Sequence, residues 1–179
     1  MLYLTIKGDL SSNIEKVTPH DLETEPAEFT FDVVCTSCRE AHDSPIMINS
    51  FERHEMPGSR GEASFLMKCK FCGKDCSINL EHFEDSLYNE PNINKDKRKK
   101  HGLNKLNDNV AVILQLDCRG CDVTKFYFNS NLIFDVQLTS GKIMECQFDQ
   151  GENEWYDYDE DSGEEVSITS FEYEFVKGK

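Results

Sequence analysis

The chain lacks any apolar run approaching the roughly 20 residues of a membrane span, and no stretch shows the basic-then-apolar pattern of a secretory leader at "MLYLTIKGDLSS". Cytoplasm is therefore the expected location. Basic residues are also scarce, with 19 Lys and Arg against 34 Asp and Glu and a net charge of −15. That balance argues against nucleic acid, whose binding rests on Lys and Arg contacts to phosphate, and against anionic membrane surfaces. It leaves a solvated acidic surface, or a protein partner whose basic groups complement the field. No GxSxG, P-loop, GxGxxG or HExxH pattern is present, so nothing points to an enzyme.

Helical periodicity is absent as well: no segment presents an amphipathic face of three turns. What is present is strand. "LYLTIKG" (2–8), "FTFDVV" (29–34), "ASFLMKC" (63–69), "CSINLEHF" (76–83), "VAVILQLDC" (110–118) and "SITSFEYEFV" (167–176) are β-branched or aromatic runs. Turn residues separate them, and several alternate with polar positions. The fold class is all-β. At 179 residues the chain suits one ordinary domain or two small ones.

Residues 91–109 break the pattern with a polar stretch carrying a basic cluster from Lys95 to Lys100. It reads as a mobile connection whose removal leaves the fold intact. The cluster also admits the nucleus as a second compartment, through import. On either side of the connection similar units recur. "FTFDVVCTSC" (29–38) aligns with "VILQLDCRGC" (112–121), and "KCKFCGK" (68–74) with "ECQFDQG" (145–151). The expectation is two related antiparallel β subdomains, 1–90 and 110–179, built from a duplicated strand–knuckle unit and packed together.

Eight cysteines without a leader make a disulfide framework an unfavourable reading and metal or thiol chemistry a favourable one. Cys35, Cys38, Cys69 and Cys72 form C-x2-C, a gap of thirty residues, then C-x2-C. Two residues between cysteines let a turn face both sulfurs toward one ion, and a second turn completes a tetrahedron. Zinc is the expected metal, one ion in a structural site, because four protein ligands leave no open position. Gly73 after the second pair suits the left-handed backbone of a knuckle, whereas Arg39 stands at that place in the first. Iron is chemically possible in such a cage. A redox pair needs a helix after the CxxC, and no helical pattern follows either one.

Cys118, Cys121, Cys146 and Asp149 occupy the corresponding places in the second unit. They are either a second metal set or a decayed one whose thiols merely pack. Cys76 is expected inside a strand, and His42 outside the ligand set. The acidic run "WYDYDEDSGEE" (155–165) fails the register of a calcium loop, since Ser162 stands at the glycine place and Ile168 at the final glutamate place. It reads as a solvated turn with Trp155 anchored in the core. Gly58 and Gly61 bracket Ser59 and Arg60 in a tight turn, and Arg60 is expected to pair with Asp157 or Asp159, since guanidinium suits carboxylate.

Taken together, the two CxxC pairs, "GSRGEAS" (58–64), "LDCRG" (116–120), "WYDYDE" (155–160) and "FVK" (175–177) resemble, in order, the eukaryotic CXXC-motif-containing zinc-binding protein family. The resemblance implies zinc on Cys35, Cys38, Cys69 and Cys72, an all-β fold of two related subdomains, and no established catalysis. Cys121 and the long polar connection at 92–108 depart from the family pattern. The resulting expectation is a non-enzymatic, monomeric zinc protein that serves as a protein-interaction module. The alternatives are metal handling through Cys118, Cys121 and Cys146, or a thiol oxidoreductase.

Overall fold

The computed structural model describes residues 1–58 and 60–179. Along the chain the first strands are β1 (Leu2–Leu10), β2 (Ile14–Pro19), β3 (Phe29–Cys35) and β4 (Ile46–Ile48). Then come β5 (His54–Glu55), β6 (Glu62–Ala63), β7 (Phe65–Lys68), β8 (Asp75–His82) and β9 (Leu87–Tyr88). A short helix, α1 (Lys95–Lys100), precedes β10 (Ala111–Arg119), β11 (Cys121–Phe126), β12 (Phe134–Leu138) and β13 (Ile143–Cys146). The chain ends with β14 (Trp155–Asp159) and β15 (Glu164–Lys177). All paired strands run antiparallel.

The largest sheet has six strands in the order β14-β15-β1-β10-β8-β7. A three-stranded sheet runs β11-β3-β4, a four-stranded one β13-β12-β2-β9, and β5 pairs with β6 alone. The six strong runs of the sequence all form strands. The shorter β2, β4, β9 and β11 to β13 carry weaker alternation and were not among those runs. Each of the three larger sheets takes strands from both sides of residues 91–109. In the largest sheet the reason lies in β1, whose Tyr3, Leu4, Thr5 and Ile6 are all buried. A strand covered on both faces belongs in the middle of a sheet, and β1 lies between β10 and β15.

Leu4 and Ile6 join the main core with Phe29, Phe31, Leu114 and Leu116. At its far end Phe134, Phe148 and Phe171 meet, with the ring centroids of Phe148 and Phe171 4.6 Å apart. Tyr3 instead packs with Phe83, Leu103 and Val112 in a separate cluster. This second cluster corrects the reading of 91–109 as a mobile connection. Leu103 is 2% exposed, and Arg98 of α1 is buried to the same degree. Arg98 grips Glu84 in a two-pronged pair (3.0 and 2.9 Å) and also donates to the carbonyls of Asn107 (3.1 Å) and Val110 (2.5 Å). The helix is short but well specified. Asn94 caps it by accepting from the Lys97 N–H, Asp96 sits in its first turn, and four cations fill its last.

The acidic run also differs from expectation. Residues 155–159 form an edge strand rather than a solvated turn, although Trp155 does pack against the core as expected. Its buried Asp159 is held by Lys142 at 2.8 Å, and Lys142 reaches Asp161 at 3.0 Å as well. Lys142, not Arg60, therefore provides the cation for this segment, and Arg60 is exposed. The β5–β6 hairpin is closed by the Met56 N–H donating to the Gly61 carbonyl (3.0 Å). Ser59, expected between Gly58 and Gly61 in a tight turn, lies outside the described residues.

Two predictions follow from these ties. Arg98→Ala leaves the Glu84 carboxylate with only the Val112 N–H (2.8 Å) and no cation, and two carbonyls without their donor, so unfolding free energy should fall by about 3–5 kcal/mol, read by urea denaturation. A loss below about 1 kcal/mol would show that the 91–109 segment does not brace the sheet. The other concerns His20, whose ring nitrogens face Glu25 (2.6 Å) and Asp135 (2.9 Å). Those bonds, Glu25 first, raise its pKa from 6.5 to about 9. The folded chain keeps a proton that the unfolded chain releases, so this stabilisation is complete below pH 6.5 and fades toward pH 9. His20→Gln should flatten the fall in stability across that window. An unchanged slope in melting experiments would overturn this account.

Candidate metal centre

Cys35 is the last residue of β3, and Cys38 lies in the turn that follows. Cys69 comes directly after β7, and Cys72 lies in the turn that leads to β8. The two turns are built alike. The Cys35 N–H donates to the Glu40 carbonyl (3.0 Å) and the Arg39 N–H to the Cys35 carbonyl (2.9 Å). Correspondingly, the Cys69 N–H donates to the Lys74 carbonyl (2.8 Å) and the Gly73 N–H to the Cys69 carbonyl (2.8 Å). Gly73 takes a left-handed φ of 76°, and Arg39 takes 66° at the equivalent place. The first turn is thus a full knuckle despite its non-glycine residue.

The knuckles bring four sulfurs around one point. Cys35 Sγ lies 3.6 Å from Cys72 Sγ, and Cys38 Sγ lies 3.7 Å from Cys69 Sγ. All four sulfurs fall within 4.8 Å of one another. Four sulfurs each about 2.3 Å from a single ion would be separated by about 3.8 Å along the edges of the tetrahedron. The donor set and spacing therefore fit a tetrahedral thiolate-bound metal. None of the eight cysteines is in a disulfide.

Charge is managed by the backbone. Four thiolates and a divalent ion leave a net charge of about −2, which N–H donors must offset. At Cys35 the Cys38 N–H is the main donor, with Ser37 behind it, and the pKa drops to about 6. Cys69 is lowered in the same way, by the Cys72 N–H and then that of Phe71. The Glu40 N–H favours the thiolate of Cys38, but burial and the three neighbouring thiols outweigh it and push the pKa to about 12. An incoming ion displaces that proton, so affinity falls as pH falls. Cys35 and Cys69 are buried, whereas Cys72 is exposed.

The remaining thiols do not assemble. Among the described residues the only group of three or more His, Cys, Asp and Glu side chains placed to share an ion is Cys35, Cys38, Cys69 and Cys72. Cys118, Cys121, Cys146 and Asp149 are not brought together. Burial pushes Cys118 and Cys146 up to about 12 and raises Cys76 and Cys121 as well, so all four persist as neutral packing thiols. Cys76 lies inside β8, as expected. His42 is outside the ligand group too, and neither CxxC pair precedes a helix.

One feature near the centre was not legible as such. The third CxxC, Cys118 to Cys121, is where the chain leaves the six-stranded sheet at the end of β10 and enters the three-stranded sheet as β11. Cys121 stands opposite Cys35 in register. The Gly120 carbonyl accepts from the Thr36 N–H (3.1 Å) and from the Cys76 thiol (3.2 Å). Gly120 has a φ of 77°, and a Cβ there would lie 2.4 Å from the Asp75 carbonyl oxygen. The glycine between Arg119 and Cys121 was the available signal, for such close backbone approach admits no side chain.

Residues 3–176 match the profile of the eukaryotic CXXC motif containing zinc binding protein family. The chain is 50% identical to UPF0587 protein YCR090C of Saccharomyces cerevisiae, over 99% of both chains. It is 26% identical to the CXXC motif containing zinc binding protein of Homo sapiens, covering 94% of this chain and 95% of that one. The crystal structure of C1orf123 superposes with a TM-score of 0.76 at 25% identity, covering 98% of each chain.

The matched knuckles make opposite substitutions informative. Gly73→Ala should lower stability by about 1–2 kcal/mol through left-handed strain alone, because the added Cβ meets nothing within 4 Å. Arg39→Gly should raise it by up to about 1 kcal/mol, less whatever the freer unfolded chain gives back. Metal content should stay the same in both. Thermal melting of the loaded variants checks this, and shifts of the same sign would contradict the equivalence of the two turns.

Proposed function

We propose that this chain, which belongs to the eukaryotic CXXC motif containing zinc binding protein family, holds one structural zinc ion and acts as a non-enzymatic protein-interaction module. The observation that carries this reading is the closed set of four thiols contributed by two knuckles. With Cys35, Cys38, Cys69 and Cys72 all bound, zinc has no position left for a water or a substrate carbonyl, which are what catalytic zinc needs. The ion's contribution is then to folding: it fixes the end of β3 against the β7–β8 hairpin.

Met47, Phe51 and Phe71, each more than 40% exposed, offer apolar contact points for a protein. A second reading, metal handling, draws on one observation: Cys72 is exposed, so a competing thiol can approach the cage there. Native mass spectrometry before and after mild chelation separates the two. One ion retained supports the structural site, and ready loss with refilling supports handling. Recovery of a stoichiometric protein partner by the loaded chain supports the module, and a chain that recovers none at any concentration overturns it.

Cys69→Ser replaces a buried thiolate ligand by a hydroxyl. Zinc content should fall well below one per chain, and stability should fall by at least about 2 kcal/mol, or roughly 4–8 °C in melting temperature. Full occupancy with unchanged melting would show that the ion does not hold the two knuckles together.

A further inference from the structure

In this acid-rich chain one groove carries the opposite charge. It has a volume of about 470 Å³ and lies beside the knuckle hairpin, at the β7 end of the six-stranded sheet. Met56, Pro57, Leu66 and Met67 supply its apolar surface. Its cations are Lys68, Lys74 and Arg119, against a single lining acid, Asp75. The pairing register explains the convergence. Leu66 stands opposite Ser77 and Ser77 opposite Arg119, so three strands set these residues in one row, with Lys68 opposite Asp75 alongside.

Local acids only weakly neutralise these cations. Lys68 and Asp75 meet at 3.5 Å with both side chains more than two-thirds exposed. Arg119 reaches Asp117 at 3.4 Å from an equally open position. Among the described residues Lys74 has no carboxylate within 4.0 Å. Exposed pairs of this kind contribute little and exchange partners readily. The groove therefore keeps a surplus of positive charge above an apolar floor, next to a four-residue strand that ends its sheet.

We propose that this groove binds an acidic, extended segment of a partner protein. An apolar side chain of that segment sits on Met56, Pro57, Leu66 and Met67, while its carboxylates meet Lys74, Arg119 and Lys68. The proposal rests on the interaction-module reading and names the chemistry of the partner. Nucleic acid is disfavoured because a dense polyanion would meet the net field of −15 along its whole length. A short acidic segment is screened from the distant charges, since exposed charges more than about 8 Å apart interact weakly at physiological ionic strength.

The test uses fluorescein-labelled peptides of alternating Glu and Val, alternating Lys and Val, and alternating Ser and Val. Each is titrated by anisotropy against the zinc-loaded full chain and against the double variant Lys74→Glu/Arg119→Glu. Both substituted side chains are exposed, so the fold is retained, which equal melting temperatures would verify. The Glu peptide should bind the natural chain at least about tenfold more tightly than the Lys and Ser peptides, weaken with salt, and lose at least about tenfold in the double variant. Leu66→Ser should weaken it too without altering the salt dependence. No binding of the Glu peptide, equal binding of the Lys peptide, or unchanged affinity in the double variant would overturn the proposal. If a partner is nevertheless recovered by the natural chain and equally by the double variant, the groove assignment fails and the interaction-module reading stands. If no partner is recovered at all, it is the latter that fails.

Discussion

The placement of the six-stranded sheet against the three-stranded one is constrained by the meeting of two knuckles, one from each sheet. Cys35 and Cys38 end a strand of the three-stranded sheet, whereas Cys69 and Cys72 connect the last two strands of the six-stranded one. Without a cation, four sulfurs within 4.8 Å of one another would crowd thiolates that repel. With one, the same crowding becomes a cross-link between sheets, because each sulfur gains a bond that only this geometry offers. The backbone N–H groups at Cys35 and Cys69 lower the electrostatic penalty beforehand by favouring thiolate at one sulfur of each knuckle.

A second connection runs beside the first and constrains it. The chain passes from β10 to β11 through Gly120, so the same two sheets are joined covalently within reach of the sulfurs. The Gly120 carbonyl is hydrogen-bonded to the first knuckle through Thr36, and its Cα approaches Asp75 at the start of β8, just past the second. Backbone crossover and four-cysteine cluster thus meet at the same junction between the two sheets. A side chain at residue 120 would push the hairpin carrying Cys72 away from the turn carrying Cys38. The third CxxC in the sequence has its place in this crossover, with Cys121 paired to Cys35 and Cys118 half-buried in β10.

How much of this was readable from the sequence follows from the range of each signal. The strong strands were legible because their alternation is local, and the four ligands because C-x2-C spacing is itself a turn geometry. What escaped were features decided at long range. Arg98 looks like one of a run of solvated cations until Glu84, fourteen residues earlier, supplies its buried partner. The run at 155–159 looks like an acidic turn until β15 pairs with it and Lys142 reaches Asp159. Lys142 and Arg60 are equally plausible partners by charge alone, and only the fold decides between them. Similarly, the Cys118–Cys121 spacing copies that of a knuckle, but a left-handed glycine between two strands directs the chain onward instead of curling it back.

The scarcity of cations makes their placement the most informative electrostatic feature of the chain. With 34 acids against 19 Lys and Arg, carboxylates are abundant everywhere and say little about any one site. Where a cation is buried or shared, it ties distant segments. Arg98 closes the 91–109 segment onto the end of β8, and Lys142 holds Asp159 and Asp161 at the tip of the β14–β15 hairpin. Both do their work in partly dehydrated surroundings, where an ion pair is strong enough to matter once its remaining hydrogen bonds are satisfied. Lys68, Lys74 and Arg119 are different: they converge on one apolar groove and are only loosely matched within the chain. No buried side-chain nitrogen or oxygen is left unpartnered among the described residues, so the loosely matched cations of this trio are all surface groups. Their grouping beside the hairpin that carries Cys69 and Cys72 gives that part of the surface a charge opposite to that of the whole, and a local field of that kind acts on specificity more than on raw affinity.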